Sequence, residues 1–468
     1  MNTIEAISTD QFQQACMQYP KYQALAWVIE QAIHEGKLVN KQKLPAQRLL
    51  ADALGITHGT VTRAYALLEK KGIVTARLGA GTYVHLPGAA SDGVKNRAGI
   101  KEYDFASSMQ PMLGQPMLIK QALVDLSGDL SAIEDVMTYA YQGLDRHKRA
   151  FCSWFASKNI NAELSDICFT NGAQQSIFTC MQLLTNRDDW ILHEELTYPG
   201  VLHAAQACQV KTAGVPFAEG GLDLQMLEQY CQQYQPRLLY LTPNMQNPTN
   251  IRYSDDQLNH FVALSRKYQF YILEDDVNYC LPEDWRLPLQ QRAPDRVFYL
   301  TSLSKYVAGG LRIACTLVPE QWQKTFNESI HSQCWMIPSL NFELASRFLG
   351  SDDFRQNQAY LAGEMRYRQQ AFSSMAQRHG LITRSGGLNI WLTLPEDINI
   401  NQFQRLLITQ GIKVRPADLF QPAHSAPPQE YGFRISLGGF HSRHDFDEGV
   451  AVFEQALMQL NQQQDVVI

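Results

Sequence analysis

The chain has 468 residues, 45% of them hydrophobic and 18% charged, which is too long for one ordinary core and implies two or three globular domains. No apolar run reaches the ~18 residues of a membrane span, the N-terminus lacks the basic start and apolar core of a secretory leader, and the nine cysteines stand singly with no CxxC pair, which argues against a disulfide framework or a metal site and for a reducing, cytoplasmic setting. The formal net charge of −6 is uneven: residues 1–86 hold nine Lys/Arg against six Asp/Glu, hence +3, and the remainder 31 against 40, hence −9, a balance that suits a small nucleic-acid-binding head on a larger acidic body.

The first elements are helical. In KYQALAWVIEQAIHEGKL, Leu25, Val28, Ile29, Ala32 and Ile33 recur at helical spacing, and Gly36 can end the helix. LPAQRLLADALG follows, with Pro45 near its start and Gly55 at its end. ITHGTVTRAYALLEKKG is third, with Thr57 as cap, Val61, Ala64, Tyr65 and Leu68 on one side, and Gly72 as stop. Two short helices joined by GIT make a helix-turn-helix pattern. IVTARLGAGTYVHL then gives two β runs around a Gly-rich turn, a hairpin or wing. The stretch LPAQRLLADALGITHGTVTRAYALLEKKGIV, with GAGTYV after it, resembles the winged helix of GntR-family transcriptional regulators. The resemblance implies that the helix after Thr57 enters the major groove of double-stranded DNA, with His58, Thr60, Thr62 and Arg63 facing bases or phosphates. It places Arg48 near the backbone, and Arg77 and the turn at Gly79 to Gly81 near the adjacent groove. A three-helix module that binds protein is the plainer alternative.

Residues 87–102, PGAASDGVKNRAGIKE, are rich in Gly and Ala and lack any period, as a flexible linker would be. The expected division is therefore a DNA-binding domain at 1–86, with its core at about 20–86, the linker at 87–102, and a second domain at 103–468.

In that second domain seven β-type runs recur between helical patterns: 167–170, 190–195, 213–217, 237–242, 270–276, 297–302 and 313–318. Most are apolar throughout, which predicts an α/β fold, a largely parallel sheet covered by helices on both faces. Ligands of such sheets gather at the carboxyl ends of the strands. After the first run, Asn171-Gly172-Ala173 turns into a helix whose free N–H groups can hold a phosphate. After the second, Tyr198 offers a flat ring for stacking. Asn247 precedes Pro248 after the fourth. The fifth ends in Asp275-Asp276, and the sixth in Ser302, with Ser304, Lys305 and Arg312 following. Singly, such a lysine is most often a solvated surface residue, and such an aspartate a helix cap. Together they supply a phosphate cradle, an aromatic lid, an acid for a ring nitrogen, a donor for a ring oxygen and an amine for a Schiff base. Pyridoxal 5'-phosphate fits the whole set.

SLSKYVAGGLRIA resembles the SxSKxxxPGLRxG motif of the class I aminotransferases, fold type I of the pyridoxal phosphate enzymes, and head and body together resemble the MocR subfamily of GntR regulators. The resemblance covers nearly the whole chain and implies a small C-terminal α+β subdomain beside the large sheet. It implies that Lys305 is the catalytic, Schiff-base lysine, that Asn247 bonds the ring oxygen, that Asp275 pairs with the ring nitrogen and that Tyr198 stacks on the ring. Asn171, Gly172, Ala173, Ser302, Ser304 and Arg312 would surround the phosphate. Arg434, in YGFRISLGG, would grip a ligand carboxylate. Tyr141, in YAYQGLDR, would reach the partner's site in a homodimer.

Four positions in three motifs depart from the family pattern. Asn278 stands where a tyrosine is usual after the ring aspartate, leaving Tyr279 to swing in. Asn250 replaces a glycine, Gly309 a proline and Ala314 the last glycine. The expected function is a regulator that senses a small amino acid, an amine or the cofactor itself through an aldimine at Lys305. The alternatives are a working aminotransferase with a DNA-binding head, and a regulator whose body has lost the cofactor and only dimerises.

Overall fold

The computed structural model describes residues 3–4, 6–35, 37–39, 41–70, 73–77, 81–84, 101–218, 220–395, 398–422 and 428–465. The expected stops Gly36 and Gly72, the turn residues Gly79 and Ala80, and positions 87–100 of the expected linker lie outside the described residues.

The head comprises α1 (Thr9–Ala15), α2 (Lys21–His34), α3 (Gln47–Leu54), α4 (His58–Lys70) and an antiparallel hairpin of β1 (Val74–Arg77) and β2 (Gly81–Val84). Leu25, Val28, Ile29, Val61 and Leu68 are fully buried in one core. Gly55 ends α3 in the left-handed conformation, φ 64°, which costs glycine least. Thr57 Oγ1 accepts the Thr60 N–H at 3.3 Å, the expected cap. Tyr65 Oη donates to the Pro45 carbonyl at 2.8 Å, and Thr62 Oγ1 to Gln47 Oε1 at 2.8 Å, fixing α4 against the start of α3. Helix α1 was not expected. Its seven residues bury only Phe12 and Ala15, too few to print a period.

The body begins with β3 (Tyr103–Asp104), followed by α5 (Gln115–Ser127), α6 (Leu130–Val136) and α7 (Asp145–Ala156). The seven-stranded sheet consists of β4 (Ile167–Thr170), β5 (Trp190–Glu194), β6 (Lys211–Val215), β9 (Leu238–Leu241), β10 (Tyr271–Asp275), β11 (Val297–Ser302) and β12 (Ala314–Leu317), in the order β4-β12-β11-β10-β9-β5-β6. Between β6 and β9 lies a two-stranded ladder of β7 (Phe217–Ala218) and β8 (Gly221–Leu222). Only β12 runs against its neighbours. The helices interleaved with these strands are α8 (Ala173–Leu184), α9 (Pro199–Ala207), α10 (Leu224–Tyr234) and α11 (Asp255–Tyr268).

Leu238 and Tyr240 belong to one hydrophobic cluster and Leu239 and Leu241 to another. Successive residues of a strand point to opposite faces, so both faces are covered. That is why the runs read as apolar throughout. The third strand is shifted from its expected place. It spans 211–215 rather than 213–217, because Pro216 has no N–H for the ladder and Phe217 pairs with Leu222 instead. Its half-exposed beginning carries no apolar signal.

Beyond the sheet come α12 (Glu320–Cys334), α13 (Ser339–Leu349) and α14 (Asp352–Arg378). The remainder comprises β13 (Ile382–Gly386), β14 (Asn389–Thr393), α15 (Ile400–Thr409), β15 (Ile412–Lys413), β16 (Arg415–Pro416), β17 (Gly432–Ser436) and α16 (Arg443–Asp465). Four of these strands form an antiparallel sheet in the order β13-β14-β17-β16, the expected small α+β unit. β15 pairs instead with β3. No helix among the described residues is long and apolar enough to cross a membrane.

Candidate functional site

Strands β4, β9, β10 and β11 point the same way, so the segments after Thr170, Leu241, Asp275 and Ser302 meet at one edge of the sheet. The start of α8 and the Arg312 side chain meet there. Gly172 caps the start of α8 at φ 81° and offers no side-chain cap. The first N–H groups of α8 and its positive end are thus left without a side-chain partner. The guanidinium of Arg312 is brought to the same place. Its Nη2 lies 3.4 Å from the Asn171 carbonyl, and no acid pairs with it among the described residues. A Cβ on Gly172 would come 2.2 Å from that Nη2 and push the guanidinium aside, and the positive φ of this position itself favours glycine. Ser302 Oγ donates to Ser304 Oγ at 2.9 Å and accepts the Ser304 N–H at 3.1 Å, which shapes the turn before Lys305. Ala173 is the first residue of α8.

Lys305 and Asp275 face each other electrostatically. Burial, then the charge of Arg434, brings the Lys305 ammonium down to about 8, while Asp275 opposes the shift. Burial holds the Asp275 carboxyl up at about 6, against a bond from Tyr240, a backbone N–H and the charge of Lys305. Tyr240 Oη donates to Asp275 Oδ2 at 2.6 Å and the Val277 N–H to Oδ1 at 3.2 Å. The tyrosine was missed in the sequence, although a tyrosine in a buried strand needs a partner for its hydroxyl. Tyr198 is half-buried within reach of three of these charges: burial and Asp275 raise its phenol, and Arg312 and Arg434 lower it.

Asn247 is joined to Pro248 by a cis peptide bond, and its Oδ1 accepts from Arg434 Nη1 at 2.9 Å. Its loop is held from below by Glu194, a fully buried acid that sequence reading missed. Glu194 accepts from Thr242 and Gln246, each at 3.1 Å, and from Tyr253 at 3.0 Å. Burial raises its carboxyl to about 7 despite these bonds. Asn250 takes φ 55°, the left-handed backbone that asparagine tolerates, and donates to the Arg384 and Asn389 carbonyls at 2.9 Å.

Arg434 is 9% exposed. Burial, then the charge of Arg415, lowers its guanidinium to about 10. Its Nη2 donates to the Ala106 carbonyl at 3.0 Å, and its Nε is buried with no partner. The Lys305 ammonium donates to the carbonyl of Ser108, two residues on. One backbone strap, residues 105–110, therefore crosses the site and is held by both cations. The Ser436 N–H also donates to the Phe105 carbonyl at 2.8 Å, and the Gln110 amide donates to the Val307 carbonyl. Gly438 packs so closely that a Cβ there would lie 1.5 Å from the Met109 carbonyl oxygen. Backbone carbonyls carry no residue signature, so the strap was invisible in the sequence.

One expected member is not brought to this place. Tyr279 does not swing in: it is buried against Tyr306, rings 5.5 Å apart, and feels Cys280, Arg366 and Glu283 rather than Lys305 or Asp275. Asn278, one residue earlier, turns back instead and donates to the Met245 carbonyl at 2.9 Å. Tyr141 lies in a surface aromatic cluster with Tyr139, His331 and Trp335, at ring distances of 6.1, 4.8 and 5.8 Å.

In the head, His58, Thr62 and Arg63 are exposed on α4 and Arg48 on α3, while Thr60 is half-exposed. The Thr60 and Thr57 hydroxyls bond each other at 2.9 Å, and Thr62 is turned toward Gln47. Arg77 ends β1, and its side chain lies outside the described residues.

A family model for aminotransferases of class I and II matches residues 105–453, and one for bacterial regulatory proteins of the gntR family matches residues 21–84. The uncharacterized HTH-type transcriptional regulator YdeF of Bacillus subtilis is 25% identical over 443 residues, covering 94% of this chain and 94% of its own. Aminotransferase tdiD of Emericella nidulans is 28% identical over 353 residues, covering 67% of this chain and 79% of its own. LysN, an alpha-aminoadipate aminotransferase from Thermus thermophilus solved with N-(5'-phosphopyridoxyl)-L-leucine, matches at a TM-score of 0.68 and 22% identity, over 77% of this chain and 93% of its own. The chain belongs to the aminotransferase class I and II family and, with its gntR-family head, has the architecture of the MocR-type HTH transcriptional regulators.

Proposed function

We propose that this regulator holds pyridoxal 5'-phosphate at Lys305 and changes its grip on double-stranded DNA when a small amino acid or amine occupies the same site. The observation that carries the regulatory part is the strap. Lys305 and Arg434, the two cations that would meet the ligand, both donate to carbonyls of residues 106–108. Those residues follow the segment that leads from the head. A ligand that engages either cation competes directly with these bonds, and so has differential affinity for strap-bound and strap-released states.

The residues present fit the cofactor. The uncapped start of α8 and the unpaired Arg312 favour an anion, and Ser302 and Ser304 add hydroxyls beside them. The buried Asp275 carboxylate suits a ring N–H, Tyr198 a ring face, and Asn247 a ring oxygen. When bound, pyridoxal phosphate supplies an aldehyde that condenses with amines and a ring that draws electrons from their α-carbon. Lys305 presents an amine kept partly neutral near pH 8 by burial and Arg434. Arg434, with an unpartnered Nε, binds and orients a carboxylate. In α4, His58 and Arg63 carry no side-chain bond among the described residues and would meet bases or phosphates, with Arg48 near the backbone. The exposed cluster around Tyr141 would be covered by a second copy of the chain, whose site Tyr141 would reach.

The second reading is an aminotransferase with an attached head, favoured by the juxtaposition of Lys305 and Asp275. A spectral titration separates the two. Holoprotein mixed with a panel of amino acids and amines should change its visible absorbance with at least one, with little or no keto acid released. Rapid multiple turnover would promote the enzyme reading.

A further inference from the structure

Four side chains form one row across the small sheet. Arg384 of β13 lies opposite Trp391 of β14, Trp391 opposite Arg434 of β17, and Arg434 opposite Arg415 of β16. Residues directly opposite project from the same face. Glu430 neutralises only one end of the row: it accepts from Arg384 at 3.0 Å and from the Trp391 indole at 2.9 Å. Arg434 bonds only neutral oxygens, those of Asn247 and Ala106. Arg415 is exposed, and no acid pairs with it among the described residues.

Like charges directly opposite on neighbouring strands are destabilising, and burial of one of them makes the repulsion dearer. Among the described residues no acid relieves it: Arg434 meets only the Phe420 ring, 5.0 Å away, the Tyr198 phenol and neutral oxygens. Conflicts of this kind concentrate where a ligand supplies what the fold lacks. A single carboxylate at Arg434 would balance one of the two charges and leave the other.

We propose that Arg415 is a specificity residue, and that the ligand read at this site is an amino compound with two acidic groups, one held by Arg434 and the second by Arg415 at the open end of the row. This rests on the reading of Arg434 as a carboxylate grip. Arg415 stands at the solvent edge of the row, so the second acid would belong to the ligand's side chain, and a neutral side chain of the same shape would leave Arg415 unpaired.

The test uses holoprotein and two shape-matched pairs, L-glutamate with L-glutamine and L-aspartate with L-asparagine, followed by the change in visible absorbance. The acidic member of at least one pair should bind about tenfold more tightly than its amide, the scale of one charge-assisted contact, and the preference should shrink as salt rises. Arg415→Gln should abolish the preference while leaving the affinity for the amide nearly unchanged, and Arg415→Lys should retain most of it. Equal binding of acid and amide, or a preference that survives in Arg415→Gln, overturns the assignment and leaves the sensor reading standing. Should no amine of any kind alter the absorbance, both fail together.

Discussion

A Lys305→Ala protein should fold, come off a desalting column colourless, and keep no pyridoxal phosphate through borohydride reduction and denaturation. The wild type, reduced the same way, should carry the cofactor mass on the peptide containing Lys305. The expectation follows from one amine beside a buried acid and the uncapped start of α8. It includes a pH dependence. Only the neutral amine is nucleophilic, and burial with the charge of Arg434 sets its protonation near pH 8. Attachment to apoprotein should therefore quicken as pH rises through about 8 and level off above it, well below the range of an ordinary lysine. Cofactor mass on a different lysine, or an attachment rate that keeps climbing to pH 10 or beyond as for an ordinary lysine, would remove Lys305 from the role.

Arg63→Ala should produce the other large effect, on DNA. Arg63 stands exposed on α4, a helix whose orientation is fixed by Thr62 and Tyr65 against the start of α3. If it reads a base, truncation costs about 1–3 kcal/mol of specific binding and relaxes selectivity at one position. Arg48→Ala should behave differently. It should weaken binding to all sequences alike and reduce the salt slope by roughly 0.9 log unit per log salt, the signature of one lost phosphate contact. Gel-shift or anisotropy titrations at several salt concentrations measure both. Unchanged affinity and selectivity in Arg63→Ala would assign base readout to another face.

The large sheet was legible because its strands are buried on both sides, so most of each run is apolar; the one strand with an exposed beginning, at Lys211, is shifted by two residues from its expected place. The polar residues of the site were legible for a related reason. Asp275, Ser302 and Lys305 break or follow apolar runs, where no packing argument calls for them. Partners supplied by the backbone were not legible, since the carbonyls of Ala106 and Ser108 belong to every sequence alike. Nor was the Arg415–Arg434 pair, which depends on the register of two strands separated by a long excursion. Tyr279 and Asn278 show the limit beyond a strand end. Periodicity stops at Asp275, so spacing alone did not say where either neighbour turns: Tyr279 packs on Tyr306 and Asn278 donates to the Met245 carbonyl.

Ligand and DNA are coupled, in this view, through a strap that both Lys305 and Arg434 hold. Coupling of this kind is reciprocal: whatever factor the ligand imposes on DNA affinity, DNA imposes on ligand affinity. The most direct measurement is the Kd of holoprotein for its operator, with and without a saturating amino ligand chosen by the absorbance titration, with keto acid release followed in the same samples. The Kd should change by about fivefold or more, as allosteric couplings do, with negligible keto acid, and the change should vanish in Lys305→Ala. An operator Kd that stays the same at saturating ligand, while keto acid accumulates over many turnovers, would contradict the regulatory reading and make the body a working aminotransferase.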